Sequence, residues 1–357
     1  MGKFLNTKFR LDMIKLLVAA VLLSISTTSI AQRATGFAIV ENKEKKQVDI
    51  VYNNRLLTAY CYYDSSRKPM LFPVNTLDGI TVTRGYPFQI KAGERTDHPH
   101  HTGIWLNYES VNGLDFWNNS TAIAVEKRSQ YGTIVPGKII DKKTDGKTAS
   151  LAVTATWVRP DNKVLLNEET HFNFRVKGND FIIDRITTLT ATDTTVLFKD
   201  VKDGMFAIRV ARELELPSKE KSSFVDNKGN ITTLVPSTGN VTGMYYSSEG
   251  LKGDSVWSSK GRWVMLTGKK DGTDITIGMF DHPSNVGYPA YWHARGYGLF
   301  AVNPLGRKIF SNGNEELNFS LNPGQSVTFR YRVVVHSGKA LTHESMNKLA
   351  TEFANIK

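Results

Sequence analysis

The chain has 357 residues, a formal net charge of +11 and one cysteine, Cys61. That length can bury a large core, and a lone cysteine excludes an intrachain disulfide framework. Bases are interleaved with acids, as in "ENKEKKQVD" and "SKEKSSF"; without a basic stripe or a recognisable module, this reads as solvated surface and excludes nucleic acid as the expected partner.

Residues 1–31 read as a secretory signal peptide. Lys3, Lys8, Arg10 and Lys15 supply the basic lead, Ile14 to Leu23 the apolar centre, and Ser29-Ile30-Ala31 the small residues before a cut at Gln32. The apolar run is shorter than the ~20 residues of a spanning helix. Four bases against Asp12 give this segment +3, which leaves +8 on the remainder. The expected localisation is periplasmic or secreted, with no membrane span after cleavage.

The rest reads as strands. "QVDIVYNNRLLTAYCYY" alternates on both sides of Asn53-Asn54, a turn signal, and places Cys61 on a buried strand. Next comes "ERTDHPHHTGIWLNYESVNGLDFWNN". Three of the eight histidines, His98, His100 and His101, fall here after Asp97. Pro99 biases His98 towards extended backbone. A strand from His100 would send His100 and Thr102 to one face, His101 and Gly103 to the other. Asp97 can orient an imidazole. Glu109, Asp115 and Trp117 follow, the last as a sugar platform or as plain core.

"TASLAVTATWV", "THFNFRV", "DFIIDRITTLTA" and "SVTFRYRVVVH" alternate with period two, separated by the turn strings "VKGND", "KKDGTD" and "NPGQ". Between them, "FDHPSNVGYPAYWHARGYGLFAVNPLG" repeats Asp-His-Pro at Asp281-His282-Pro283 and adds Trp292, His293, Arg295 and Tyr297. Alternation would put His293, Arg295 and Tyr297 on one face, where they need partners or a ligand. Met346, Leu349, Ala350 and Phe353 recur at helical spacing. The expectation is an all-β fold, a large antiparallel β-sandwich with a short C-terminal helix, as a single domain over 32–357. Two abutting sandwiches meeting between residues 195 and 250 are the second choice.

"DHPHHTGIW", "VNGLDFW", "KDGMFAIRVARELE" and "YWHARGYGLFAVNPLG" resemble a bacterial family often labelled methane oxygenase PmoA. It is better described as a family of unknown function, common in secreted proteins of polysaccharide-degrading bacteria. The methane-oxygenase label itself conflicts with a chain that lacks an apolar span after residue 31. The family usually has Arg where this chain has Thr102, which removes one clamp for an anion or hydroxyl. Its "DTKEGxFGIRV" string appears as "DVKDGMFAIRV", keeping Asp200, Lys202, Asp203 and Arg209 as types. A looser resemblance is to the supersandwich of galactose mutarotases, which implies a histidine acid and a carboxylate base at a sugar ring.

Three functions follow. The first is a periplasmic carbohydrate-active enzyme, with hydrolase, lyase and epimerase left open. His101 and His293 would exchange protons, Asp97 would orient a histidine, and Arg209 and Arg295 would clamp hydroxyls or a carboxylate. Trp117 or Trp292 would stack on the ring, with His98, His100, Glu109, Asp115 and Tyr297 around it. Glu109, Asp115 and Glu169 are the carboxylates available for a glycosidase pair. The second is a non-catalytic glycan-binding protein built on the same residues. The third is a metal enzyme using imidazoles with Asp97, although short metal-ligand spacings are missing. No cofactor is expected, and the ligand is a carbohydrate or another small polyhydroxylated molecule.

The leader carries the first prediction. Terminal sequencing of the protein from its native host is expected to begin at Gln32, and a chain beginning at Met1 would refute cleavage.

Overall fold

The computed structural model describes residues 35–234 and 240–356. The expected signal peptide, residues 1–31, lies outside the described residues. Two antiparallel eight-stranded sheets dominate. The first runs β1 (Phe37–Asn42), β2 (Gln47–Tyr52), β3 (Arg55–Cys61), β4 (Met70–Val74), β5 (Ile104–Tyr108), β11 (Gly204–Arg209), β18 (Leu299–Asn303), β17 (Tyr291–Ala294). The second runs β14 (Met244–Ser247), β15 (Trp263–Lys270), β16 (Thr273–Asp281), β20 (Ser326–Ser337), β9 (Asp180–Ala191), β8 (Val164–Lys177), β7 (Thr148–Val158), β6 (Thr133–Thr144). Two short pairs complete the set: β10 (Val196–Leu197) with β19 (Ser320–Leu321), and β12 (Ser222–Val225) with β13 (Ile231–Leu234).

Local chemistry accounts for the hairpins. Asn53 and Asn54 both have positive φ, 48° and 63°, the geometry of a two-residue turn whose twist suits the flanking strands. Gly178, at φ 58°, turns β8 into β9. Alternation sorts the side chains. In β8, Leu166, Glu168, Thr170, Phe172 and Phe174 are buried, while Asn167, Glu169 and His171 are exposed. The main core packs Trp157, Phe172, Phe174, Phe181, Val333 and Val335 of the second sheet with Ile104, Phe206, Ile208, Phe300 and Trp292 of the first. Glu168 is a charge in that core, satisfied by Trp157 Nε1 (2.8 Å), Thr170 Oγ1 (2.7 Å) and Arg185 Nη2 (2.8 Å).

Each sheet also has an outer face. The C-terminal helix, His343–Ala354, covers part of the second with Met346, Leu349 and Phe353 against Trp263, Phe280 and Val334. Its first turn is capped by Thr342, whose side chain accepts from Ser345 N. Loops cover part of the first, over Ala59, Cys61, Phe72, Trp105, Trp117, Ala207, Leu299 and Ala301.

The strand expected from His100 begins only at Ile104. Residues 98–101 form a turn instead, closed by His101 N donating to His98 O at 2.9 Å. His98 is left-handed, φ 44°, and not extended as its proline neighbour implied. Gly103 also needs positive φ (58°), and a methyl group there would lie 2.1 Å from Leu71 O on β4. Gly113 has φ 79° with nothing near it. Replacing either by alanine costs ~1 kcal/mol or more for the left-handed backbone. Gly103→Ala is expected to lose clearly more stability than Gly113→Ala in urea unfolding, and equal losses would show that close approach to β4 does not matter.

Candidate functional site

A layer of polar side chains, the basin, lies on the outer face of the first sheet, over the strands β5, β11, β18 and β17. Cross-strand register sets a row: Trp105 pairs with Ala207, Ala207 with Ala301, and Ala301 with His293. Two residues further along, on the same face, Arg209 pairs with Leu299. The small alanines leave room above the sheet for a second layer of large side chains. His101 stacks on Trp105, ring centroids 5.3 Å apart, and Trp117 packs against Trp105 at 5.2 Å.

The histidine turn is suspended from Arg84. Its backbone N donates to Arg209 O (3.1 Å), and its guanidinium reaches Asp97 O (2.7 Å), Asp97 Oδ1 (2.9 Å), His98 O (2.8 Å) and His101 O (2.9 Å). Arg209 Nη2 donates to the same Asp97 Oδ1 at 2.7 Å. Two guanidiniums with 1% and 0% exposure therefore share one carboxylate. Burial alone would raise the Asp97 pKa, but His98, Arg209 and Arg84 hold it well below the usual carboxylate range. His98 Nδ1 lies 3.2 Å from Asp97 Oδ2, at ion-pair distance but without hydrogen-bond alignment.

The two histidine-bearing strings meet at Tyr297. The His98 ring stacks on Tyr297 (5.0 Å, 4° between planes) and on His101 (4.8 Å, 2°). Arg209 lies 4.9 Å from the Tyr297 ring centre. Residues 295–298 form the turn between β17 and β18, with Gly298 N donating to Arg295 O at 3.0 Å. Arg295 lies over the faces of Trp257 and Tyr297, at 5.6 and 5.9 Å.

Several expected roles change. His101, expected as an acid or base, is 1% exposed. Its Nε2 faces the Trp117 Nε1 donor and its Nδ1 faces Arg209 Nη1, both at 3.2 Å. Burial lowers its pKa well below the usual value, so the ring is neutral: one nitrogen accepts from Trp117 or Arg209, the other carries the proton, and both are covered by these neighbours. Trp117 is 1% exposed and spends its N–H on His101, so it is not a sugar platform. Neither is Trp292, which strand alternation sends into the main core, where Nε1 donates to Gly261 O at 3.0 Å. Glu169 is exposed on the second sheet and bonded to His171 at 2.7 Å, away from the histidine turn. The second Asp-His-Pro string anchors a loop: Asp281 accepts from His282 N, Asn285 Nδ2 and Ala290 N at 3.0, 2.7 and 2.9 Å.

His293 is 2% exposed at the end of the cross-strand row. Its Nδ1 lies 3.1 Å from Lys202 O and 3.5 Å from Asp203 Oδ1. Donation to the carbonyl makes Nε2 the lone-pair nitrogen. Burial pushes its pKa down to about 3, so it is neutral near pH 7. One carboxyl group, Asp203, adjoins it, and Glu109 and Asp115 lie within electrostatic reach of Asp203. Glu109 N donates to Asp203 O (2.9 Å), and Asp203 N lies 3.3 Å from Glu109 Oε2. Asp115 accepts from Asn118 N and Nδ2, both at 2.9 Å. Burial raises the pKa of all three; Asp203 and Asp115 raise Glu109 further, and Asp115 raises Asp203. Asp203, Lys202 and Arg84 were not expected at the site. The first two stand in the "DVKDGMFAIRV" string, whereas nothing around Arg84 in "TVTRGYPF" announces it. His100 faces away from the basin into a separate cavity. Among the described residues, no group of three His, Cys, Asp or Glu side chains is disposed to hold a metal ion.

The model of the "Family of unknown function (DUF6807)" matches residues 47–351, and the chain belongs to that family. This corrects the expected PmoA-like membership; among the described residues, moreover, no helix is long and apolar enough to cross a membrane. No curated protein matches in sequence. Solved structures that resemble the chain include a GH36 α-galactosidase from Geobacillus stearothermophilus, at 12% identity and TM-score 0.34, over 84% of this chain and 41% of that one. The galactosidase domain of an α-galactosidase–sucrose kinase gives 10% and 0.40, over 84% and 42%. A galactose mutarotase-related enzyme from Lactobacillus acidophilus gives 10% and 0.27, over 86% and 99%. The chain thus spans less than half the length of the two galactosidase structures.

Removing Asp97 tests the clamp. Asp97→Asn strands two buried guanidiniums, and loss of a partner from a buried ion pair costs ~3–5 kcal/mol. Chemical denaturation is expected to show a loss of that order, and under 1 kcal/mol would refute the clamp. Because the native pKa is lowered, this stabilisation is complete above the usual carboxylate range and is lost as pH falls below it.

Proposed function

We propose that this DUF6807 protein is an exported carbohydrate-active enzyme that moves protons on a sugar bound in the basin. One observation carries the reading: Asp203 lies 3.5 Å from a neutral His293, and Asp203, Glu109 and Asp115, which act on one another, all have pKa values raised above the usual carboxylate range. Carboxyl groups with a raised pKa are suited to donate a proton and take it back. Asp203 is the proton carrier, with Glu109 coupled to it through the reciprocal backbone contacts. His293 accepts a ligand hydroxyl through Nε2. The half-buried Tyr297–His98 stack gives an aromatic edge for the ring, and Arg295 and Asp97 are within reach of hydroxyls at the rim. Whether the proton transfer leads to hydrolysis, elimination or epimerisation depends on the substrate.

A non-catalytic glycan-binding role is favoured by one feature. A histidine whose pKa is pushed down to about 3 is a weak base, so His293 serves recognition better than proton abstraction. Asp203→Asn separates the two readings. In an enzyme it is expected to lower turnover by ~10²–10⁴, the usual contribution of a general acid or base, while keeping ligand binding. The wild-type rate should fall as pH rises above the usual carboxylate range, where the raised carboxyl group ionises. Binding of a sugar from a mono- and oligosaccharide panel without turnover would establish the binding role instead; unchanged turnover in the variant would refute Asp203 as proton carrier.

A further inference from the structure

A second cavity, of about 180 Å³, lies behind the histidine turn and shares its His100 and Thr102 with it. Its lining includes Arg67, Lys68, Tyr86 and Phe88 and contains no Asp or Glu. Lys68 is 4% exposed. Its Nζ donates to His100 O at 2.6 Å and lies 5.3 Å from the centre of the Trp105 ring. One carbonyl and one ring face leave an ammonium group with unspent donors, and among the described residues no carboxylate pairs with it. Two further buried polar atoms of the lining, His100 Nε2 and Thr102 Oγ1, also find no partner in the protein. Native interiors rarely leave so many polar groups unmatched in one place, and a buried cation without a counter-charge is costly.

We propose that this cavity binds the carboxylate of an acidic sugar, with Lys68 as the counter-charge and Thr102 and His100 as hydrogen-bond partners. Lys68 is the one buried cation of the lining, Arg67 being only half-buried, which favours the single charge of a carboxylate over a phosphate dianion. Tyr86 and Phe88 supply the apolar side against which a sugar ring lies. The cavity is smaller than the ~300 Å³ at the low end of small-molecule pockets, so it takes one sugar unit or part of one. The site uses none of the three carboxyl groups of the basin, so its failure leaves the basin reading as it stands.

Protonation gives the site a signature. Burial pushes the Lys68 pKa down to about 7, with Asp115 acting in the opposite direction. His100, Arg67 and Tyr86 are the other titratable groups facing it, and His100 is held neutral by burial, its pKa well below the usual value. A bound carboxylate restores the charged form of Lys68. Affinity therefore falls as pH rises above ~7, and binding near pH 8 takes up a proton.

Calorimetric titration of the whole protein with glucuronate, glucose, acetate and inorganic phosphate tests this, at pH 6 and pH 9 and in two buffers of different ionisation enthalpy. Glucuronate is expected to bind, to weaken at least tenfold between pH 6 and pH 9, and to take up a proton near pH 8. Lys68→Met is expected to reduce that binding at least tenfold. If Lys68→Met does not fold, Thr102→Val and the wild-type pH series carry the test. Glucose or acetate binding as tightly as glucuronate, tighter binding of phosphate, no glucuronate binding, or pH-independent binding would each overturn the proposal.

Discussion

The Arg84 guanidinium is the interaction on which the basin depends. It is a buried cation that spends its donors on the Asp97 carboxylate and on the carbonyls of Asp97, His98 and His101. A turn with a left-handed histidine is unfavourable on its own. Here its carbonyls, which would otherwise be stranded under the covering loops, are the acceptors that a buried guanidinium requires. The cost of the turn and the cost of the charge offset each other. His98 then lies flat on Tyr297, and the first histidine string meets the second.

Electrostatics divide the site into two kinds of polar group. Asp97, Arg84, Arg209 and His101 are bonded mainly to each other and to the turn, and the net effect is a carboxylate that stays charged and an imidazole that stays neutral. Glu109, Asp115 and Asp203 lack comparable cationic partners, and their pKa values are raised. The first kind builds shape, and the second kind is what the proposed proton exchange and anion binding rest on.

Much of the fold was legible in the sequence because period-two patterning is a local signal. "TASLAVTATWV" is β7 and "DFIIDRITTLTA" is β9, residue for residue, and Asn53-Asn54 is the β2–β3 turn. The helical spacing of Met346, Leu349 and Phe353 gave the C-terminal helix its buried side. What could not be read is non-local. No local pattern brings β11 between β5 and β18, nor Arg84 against Asp97. Trp292 and His293 show how sharp the limit is: alternation in β17 sends one to the core and the other to the basin, and the sequence alone does not say which face is which. The burial of His101 could not be read either, because only coordinates reveal that Trp105, Trp117 and Arg209 cover its ring.

The row Trp105–Ala207–Ala301–His293 crosses four hydrogen-bonded strands, each spaced ~4.8 Å from the next. Mechanically, this gives the basin two unlike walls. The His293 wall is part of the sheet and moves only if the ladder does. The His98 wall is held by the guanidinium bonds of Arg84 and by the stack on Tyr297, outside the ladder of the sheet. Loss of one guanidinium would therefore disturb one wall and leave the other in register with the sheet.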